Sequence, residues 1–184
     1  MKEEERAAAA VLYDASNDAR LKSALDAANR LTYRYNSLSP DEEEARQQIL
    51  KELLGKLGSG CKLIPPFYCD YGYNIELGDA VFANMNLVIL DAAGVTIGNH
   101  VYIAPNVGIY TVGHPLDMEL RRKGMEYAHP IAIGNDVWIG AHSCILPGVT
   151  IGNNVVIGAG SVVTKNIPDH VVAFGNPCNV IRKI

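Results

Sequence analysis

The chain has 184 residues, 48% hydrophobic and 20% charged, with a formal net charge of −4. That length buries a core of its own without staples, and the lack of a basic surplus argues against the cationic face that nucleic-acid binding needs. The start, MKEEERAAAA, has neither the cationic opening nor the apolar stretch of a signal peptide, and no apolar run is long enough to span a bilayer. A cytoplasmic protein without nucleic-acid or membrane partners is expected.

The N-terminal third reads as helix. Ser16 is a candidate N-cap for a segment with Leu21, Leu25, Ala28, Leu31 and Tyr35 at helical spacing, ending near Asn36. Ser39 as N-cap, Pro40 at the first helical position and acids from Asp41 to Glu44 announce a second helix. Ile49, Leu50, Leu53, Leu54 and Leu57 supply its apolar face, and Gly58 is its stop. Residues 1–57 are therefore expected to form a cap of two to three helices on a larger domain, 58–184.

From residue 75 the texture changes to a period of six. Ile97, Ile103, Ile133, Ile139, Ile151 and Ile157 are each followed by Gly or Ala, and Val95, Val101, Ile131, Val137, Val149 and Val155 precede them by two. Two inward positions two residues apart, then a corner, describe a short strand and a turn. Three such units make one triangular coil of a parallel β-helix. Repeats of this form resemble the left-handed variety, so a mainly β fold of that kind is expected. Two residues are inserted near Ala92–Gly94. Residues 110–130, YTVGHPLDMELRRKGMEYAHP, interrupt the rhythm and return in step, as a loop extruded from an intact scaffold does.

Stacked edges lie 18 residues apart, which puts Ala104, Gly140 and Gly158 in one column and Pro105, Ala141 and Ala159 in the next. Corners need small residues with permissive backbone angles, which accounts for glycine. Alanine in the second column is not required by a turn, and favours a shallow track for a slim ligand. Trp138 points outward and needs a loop or a ligand to cover it. His114, held by Pro115 where the loop leaves the scaffold, is the candidate proton acceptor. His100, His142 and His170 fall on edges or corners, and His129 closes the loop; a zinc site needs three of them together, and the sequence shows no such cluster. Cys61, Cys69, Cys144 and Cys178 have no metal-type spacing and are read as reduced packing residues.

The stretches CDYGYNIELG, FANMNLVILD, IGNHVYIAPNV, HPLDMELRRKGMEY and IGNDVWIGAHSCILPGVTIGNNVVIGAGSVV resemble the maltose and galactoside O-acetyltransferases, members of the hexapeptide acyltransferases, over nearly the whole chain. The resemblance implies transfer of acetyl from acetyl-CoA, the co-substrate, to a hydroxyl of a mono- or disaccharide, with no metal, in a homotrimer with sites between subunits. It implies that His114 is the general base and that Asp70 and Asn84 face the acceptor. Asp14 stands where an N-terminal acceptor carboxylate would, and Asp91 lies beside Ala92, onto which another falls. The Ala141 N–H is implied as oxyanion donor, with Ala159, Thr164 and Lys165 along the CoA arm and Arg182 at a CoA phosphate; the outward Trp138 beside the track is taken as cofactor-binding. Leu25, Ala92 and Asn179 depart from the galactoside branch. Direct attack is expected, because no cysteine or serine is placed as an acyl carrier near His114. Arg121, Arg122 and Lys123 are read as a solvated loop face, and Glu126 either orients His114 or is an exposed loop acid. A related enzyme with an amine or antibiotic hydroxyl as acceptor, or a non-catalytic scaffold, are the competing functions.

Overall fold

Inward residues of the repeat stack in ladders that run the length of the domain. Ile75, Val95 and Ile131 pair in register on one face, and Ala83, Ile103, Ile139 and Ile157 on the next. All of them are buried, and each of the Ile and Val side chains contributes about 1.5–3 kcal/mol on leaving water. The computed structural model describes residues 1–184, and these ladders make it a parallel β-helix with three faces.

The first face stacks Lys56–Leu57, Ile75–Leu77, Val95–Ile97, Ile131–Ile133 and Thr150–Ile151. The second runs from Lys62–Leu63 through Phe82–Ala83, Tyr102–Ile103, Trp138–Ile139 and Val156–Ile157 to Val171–Gly175, closed by the antiparallel strand Cys178–Lys183. The third stacks Phe67–Cys69, Leu87–Leu90, Gly108–Tyr110, Cys144–Ile145 and Val162–Val163. The chain turns a first corner between faces one and two, a second between two and three, and a third on returning to face one. At the first corner a side-chain ladder replaces missing backbone bonds. Asn99, Asn135, Asn153 and Asp169 each accept, through Oδ1, the amide N–H of the coil below, at 2.6–2.9 Å.

The coils start earlier than the six-residue rhythm indicates. Lys56 pairs with Glu76 and Ile75 with Val95, 20 residues apart, whereas Trp138 pairs with Val156, 18 apart. The two extra residues per early coil enter at the third corner, at Tyr71–Asn74 and again at Ala92–Gly94. The excursion leaves from that same corner one coil later. Leu57 consequently sits in the first coil strand, not on a helix.

The cap has four parts: helix α1 (Glu3–Ala8), a short strand Tyr13–Asp14, helix α2 (Ala19–Ser37) and helix α3 (Glu43–Leu53). Asp18, not Ser16, caps α2, its carboxylate accepting from the amides of Arg20 and Leu21 at 2.8 and 3.1 Å. At α3 the expected cap is inverted: the Glu42 carboxylate accepts from the Ser39 amide at 2.8 Å, and the helix begins only after Glu42. That helix ends at Leu53, ahead of Gly58. Gly55 follows at a crossing where a β-carbon would stand 2.2 Å from the Tyr73 carbonyl oxygen.

Candidate active site

The excursion folds as a hairpin. Val112–Gly113 pairs antiparallel with Met125–Ala128, and helix α4 (Met118–Arg122), capped by Asp117, fills the tip. The N-terminal strand adds to the return strand, with Tyr13 opposite Glu126 and Asp14 opposite Met125. His114 follows the outgoing strand, exposed and with no hydrogen bond inside the protomer. Arg121 fixes the turn beyond it by donating to the carbonyls of Pro115 and Leu116 at 2.9 and 3.2 Å. Arg122 pairs with Glu119 at 3.0 Å, and all three basic residues of the tip are exposed.

At the foot of the hairpin, the widened third corner gathers acids. Asp91 is 0% exposed; its Oδ1 accepts from the amides of Asp70 and Tyr71 at 3.1 and 2.9 Å, and its Oδ2 has no partner. It binds the chain's own backbone and is not presented to a ligand, which corrects its assignment to the acceptor. Burial first, then the charges of Asp91 and Glu126, pushes the Asp70 carboxyl up to about 7. Glu126 is half-buried, and its Oε2 accepts from the Tyr13 hydroxyl at 2.7 Å. It is thus neither a loose loop acid nor bonded to His114. Asp14 accepts from Asn17, backbone and side chain, at 2.9–3.1 Å.

The small-residue track lies elsewhere, at the second corner. Asn84, Ala104, Gly140 and Gly158 follow the registered pairs of the second face. Gly140 and Gly158 have ordinary backbone angles; positive φ at this corner belongs to Asn86, Asn106, His142 and Gly160. What Gly140 supplies is room, since a β-carbon there would stand 2.5 Å from the Ala159 nitrogen. The corner's permissive angles therefore do not explain it; coil-on-coil approach does. Beside it, the amide N–H groups of Ala141 and Ala159 donate to no group within the protomer. Asn84 turns its Oδ1 back to the Met85 amide at 2.8 Å. Trp138 points outward as expected, 55% exposed, in register with the equally exposed Tyr102.

Within one protomer the expected site is split. Asp70, the root of the His114 hairpin, Thr164 and Lys165 belong to the third corner, while Asn84, Ala141 and Ala159 belong to the second. A full side of the prism separates them, roughly 15 Å at about 3.3 Å per extended residue. Lys165 donates to Asn179 Oδ1 at 2.8 Å, and Arg182 is exposed on the C-terminal strand opposite Val172. His142 and His170 each meet an asparagine one coil away, at 3.4 and 3.0 Å, and no three metal-binding side chains converge. Tyr13 joins the site without having been singled out by pattern, and Tyr71 and Tyr73 line the widened corner beside it. The signal for the two corner tyrosines is the repeated two-residue insertion.

Family models match the chain at both ends: the maltose acetyltransferase hexapeptide capping motif over residues 6–58 and the bacterial transferase hexapeptide repeats over 130–165. The galactoside O-acetyltransferase of Escherichia coli (strain K12) is 53% identical over 154 residues, covering 84% of this chain and 76% of that protein. The chain belongs to the maltose and galactoside O-acetyltransferase family of hexapeptide acyltransferases. The crystal structure of a maltose O-acetyltransferase from Clostridium difficile 630 superposes with a TM-score of 0.98 at 48% identity, covering 100% of this chain and 98% of that one. A galactoside acetyltransferase in complex with coenzyme A gives 0.96 at 47%, covering 100% and 92%. As a member of this family the protein is an acetyltransferase.

Proposed function

We propose that the protein transfers acetyl from acetyl-CoA to a hydroxyl of a mono- or disaccharide, in a homotrimer whose sites form where one protomer's third corner meets the next protomer's second corner. The observation that carries this reading is the split itself. A general base and acceptor carboxylate on one corner, and free amides on another, make a complete site only when two copies are juxtaposed. Cyclic symmetry then repeats that junction around the prism. Leu116, 99% exposed beside His114 at the loop tip, is the apolar group such a neighbour would cover.

In this reading the thioester lies along the Ala141–Ala159 column, between the Trp138 face and the neighbour's Thr164 and Lys165, with Arg182 at a CoA phosphate. Asp70, Asn84 and Asp14 hold the saccharide. The His114 imidazole takes the proton of one sugar hydroxyl while that oxygen bonds to the carbonyl carbon. The Ala141 N–H stabilises the oxyanion as negative charge develops on the carbonyl oxygen. The C–S bond then breaks, the thiolate leaves with the proton from the imidazolium, and an acetyl ester and free CoA result. No metal takes part. The family relatives named for galactoside and maltose support a sugar acceptor. Four unpaired cysteines, and no helix long and apolar enough to cross a membrane, support a cytoplasmic setting.

Mass spectrometry after incubation with acetyl-CoA and a saccharide panel tests the reading. A gain of one acetyl group on at least one sugar, with equivalent release of CoA thiol, is expected. CoA release without an acetylated sugar would overturn it.

A further inference from the structure

We propose that the cleft between α1 and the third corner is a second saccharide subsite, which takes the distal ring of a di- or oligosaccharide whose terminal ring is acetylated. This inference rests on the sugar acetyltransferase reading above. The cleft has a volume of about 310 Å³, and its walls include Glu4, Tyr13, Leu21, Tyr71, Tyr73 and Asn74. It exists because the third corner is two residues wider in the early coils, and its Gly94 edge is open, with nothing within 4 Å of a β-carbon there. Past Glu4, Leu21 and Tyr73 a second recess of about 240 Å³ continues toward Asp18 and Arg20. The space is therefore elongated, and its first part is at the small end of ligand sites, a size for a single ring.

The lining has the chemistry of a hexose. A sugar ring presents apolar C–H faces and hydroxyl edges. The rings of Tyr71 and Tyr73, 5.5 Å apart and inclined by 34°, give the faces an aromatic platform, and Tyr73 is 41% exposed. For the edges there are free polar atoms. Of the acids on α1, Glu3 accepts from the Asp14 amide at 2.6 Å and Glu5 from the Lys2 amide at 2.9 Å, while Glu4 has no partner in the protomer. Neither corner tyrosine hydroxyl is hydrogen-bonded within the protomer. Burial, then the nearby Glu4 charge, pushes the Tyr73 phenol up to about 12, so it stays a donor at neutral pH. Asn74 commits its Nδ2 to the Asp91 carbonyl at 2.7 Å and keeps its Oδ1. Carboxylates on and behind this wall disfavour an anionic ligand, and the free hydroxyls disfavour a plain alkyl chain.

The cleft also shares its walls with the reacting corner. Tyr71 follows Asp70, and the two amides hold the same Asp91 oxygen. Tyr13 presents its ring to the cleft and its hydroxyl to Glu126. A ring seated on Tyr71 and Tyr73 thus continues from a ring held at Asp70.

The test is acetyl transfer to methyl glucoside, maltose and an octyl glucoside by wild type, Tyr73→Ala and Tyr73→Phe. Wild type should favour maltose over methyl glucoside by about tenfold in kcat/KM, the size of one modest contact. Tyr73→Ala should erase that advantage and spare methyl glucoside, whereas Tyr73→Phe, which keeps the ring, should retain most of it. If wild type acetylates none of these sugars, the acetyltransferase reading fails first. If sugars are acetylated but maltose has no advantage, or keeps it in Tyr73→Ala, the subsite is refuted and the activity stands. An octyl glucoside that matches maltose and loses its gain in Tyr73→Ala would make the cleft an apolar site and overturn the saccharide assignment.

Discussion

Tyr13 and Glu126 face each other across the pairing of the N-terminal strand with the return strand of the hairpin, and their side chains join at 2.7 Å. Tyr13 is 1% exposed, so the bond is held away from water on one side. It is the side-chain link between the helical cap and the loop that carries His114, and it fixes one oxygen of the acid that lies beside Asp70.

Tyr13→Phe removes that link while keeping the ring in place. The loss should be about 1.5–3 kcal/mol, the range for a hydrogen bond to a charged group. The expected kinetic result is a higher KM for the acceptor and a lower kcat, with the KM for acetyl-CoA unchanged, because the Ala141–Ala159 column is on another corner. Steady-state kinetics with each substrate varied in turn checks this. A change confined to acetyl-CoA would contradict the placement of the hairpin.

Asp70 should leave a signature in the pH dependence of stability. Its folded pKa, about 7, lies well above the ordinary carboxylate range, raised by burial and then by Asp91 and Glu126. Below about pH 4 the group is protonated folded and unfolded alike. Between about pH 4 and 7 the unfolded chain releases the proton and the folded one keeps it, so stability falls as pH rises through that window and levels off above it. Cys69, Tyr13 and Tyr71 share this corner and stay protonated throughout, their pKa values raised chiefly by burial. Denaturant midpoints compared between wild type and Asp70→Asn from pH 4.5 to 8 should show the wild-type decline reduced in the variant. An identical slope in both would show that Asp70 is not the titrating group.

His114→Ala should lower kcat by about 10² to 10⁴, the usual range for losing a general base, and leave acetyl-CoA binding nearly intact. The residue is exposed and makes no hydrogen bond in the protomer, so melting temperature should not move. Prolonged chelation should leave wild-type turnover unchanged. Near-normal turnover in His114→Ala, or loss on chelation restored by zinc, would replace imidazole with another base.

The extent to which the sequence reveals this protein depends on period. The coil from Val95 to Ile131 takes 36 residues, twice 18, and later coils take 18, so columns can be counted and Trp138 lies outward where counting puts it. The first coils repeat at 20, so Lys56–Leu57 and Lys62–Leu63 do not show as strands, and Leu57 passes for a helical residue. Asp18 and Ser16 are both acceptable caps by type, and only the path of the chain selects Asp18. Asp91 enters the expected site only through the resemblance, as the acid beside Ala92, and a resemblance does not say which way a side chain turns at a corner. The pairing of Tyr13 with Glu126 joins residues 113 positions apart, beyond any local pattern. Counting does not say from which corner the loop with His114 leaves, and the prism puts it and the Gly–Ala track on different corners. Column position is legible in a repeat; which corner a column occupies becomes legible only once every insertion is assigned.

That separation gives the sharpest test of the shared site. If the third corner of one protomer works with the second corner of its neighbour, a subunit lacking His114 and a subunit lacking Asn84 are each defective in a different half. His114→Ala and Asn84→Ala should both be nearly inactive as homotrimers. In any mixed trimer, of either composition, one of the three junctions brings an intact third corner against an intact second corner. Random assembly of equal amounts makes about three quarters of trimers mixed, so about a quarter of wild-type activity should return. Coexpression with two different affinity tags and two-step purification isolates the mixed species, which should show about a third of wild-type kcat with unaltered KM values. Sites contained within a single protomer would give no intact junction, and the mixed trimers would be as inactive as their parents.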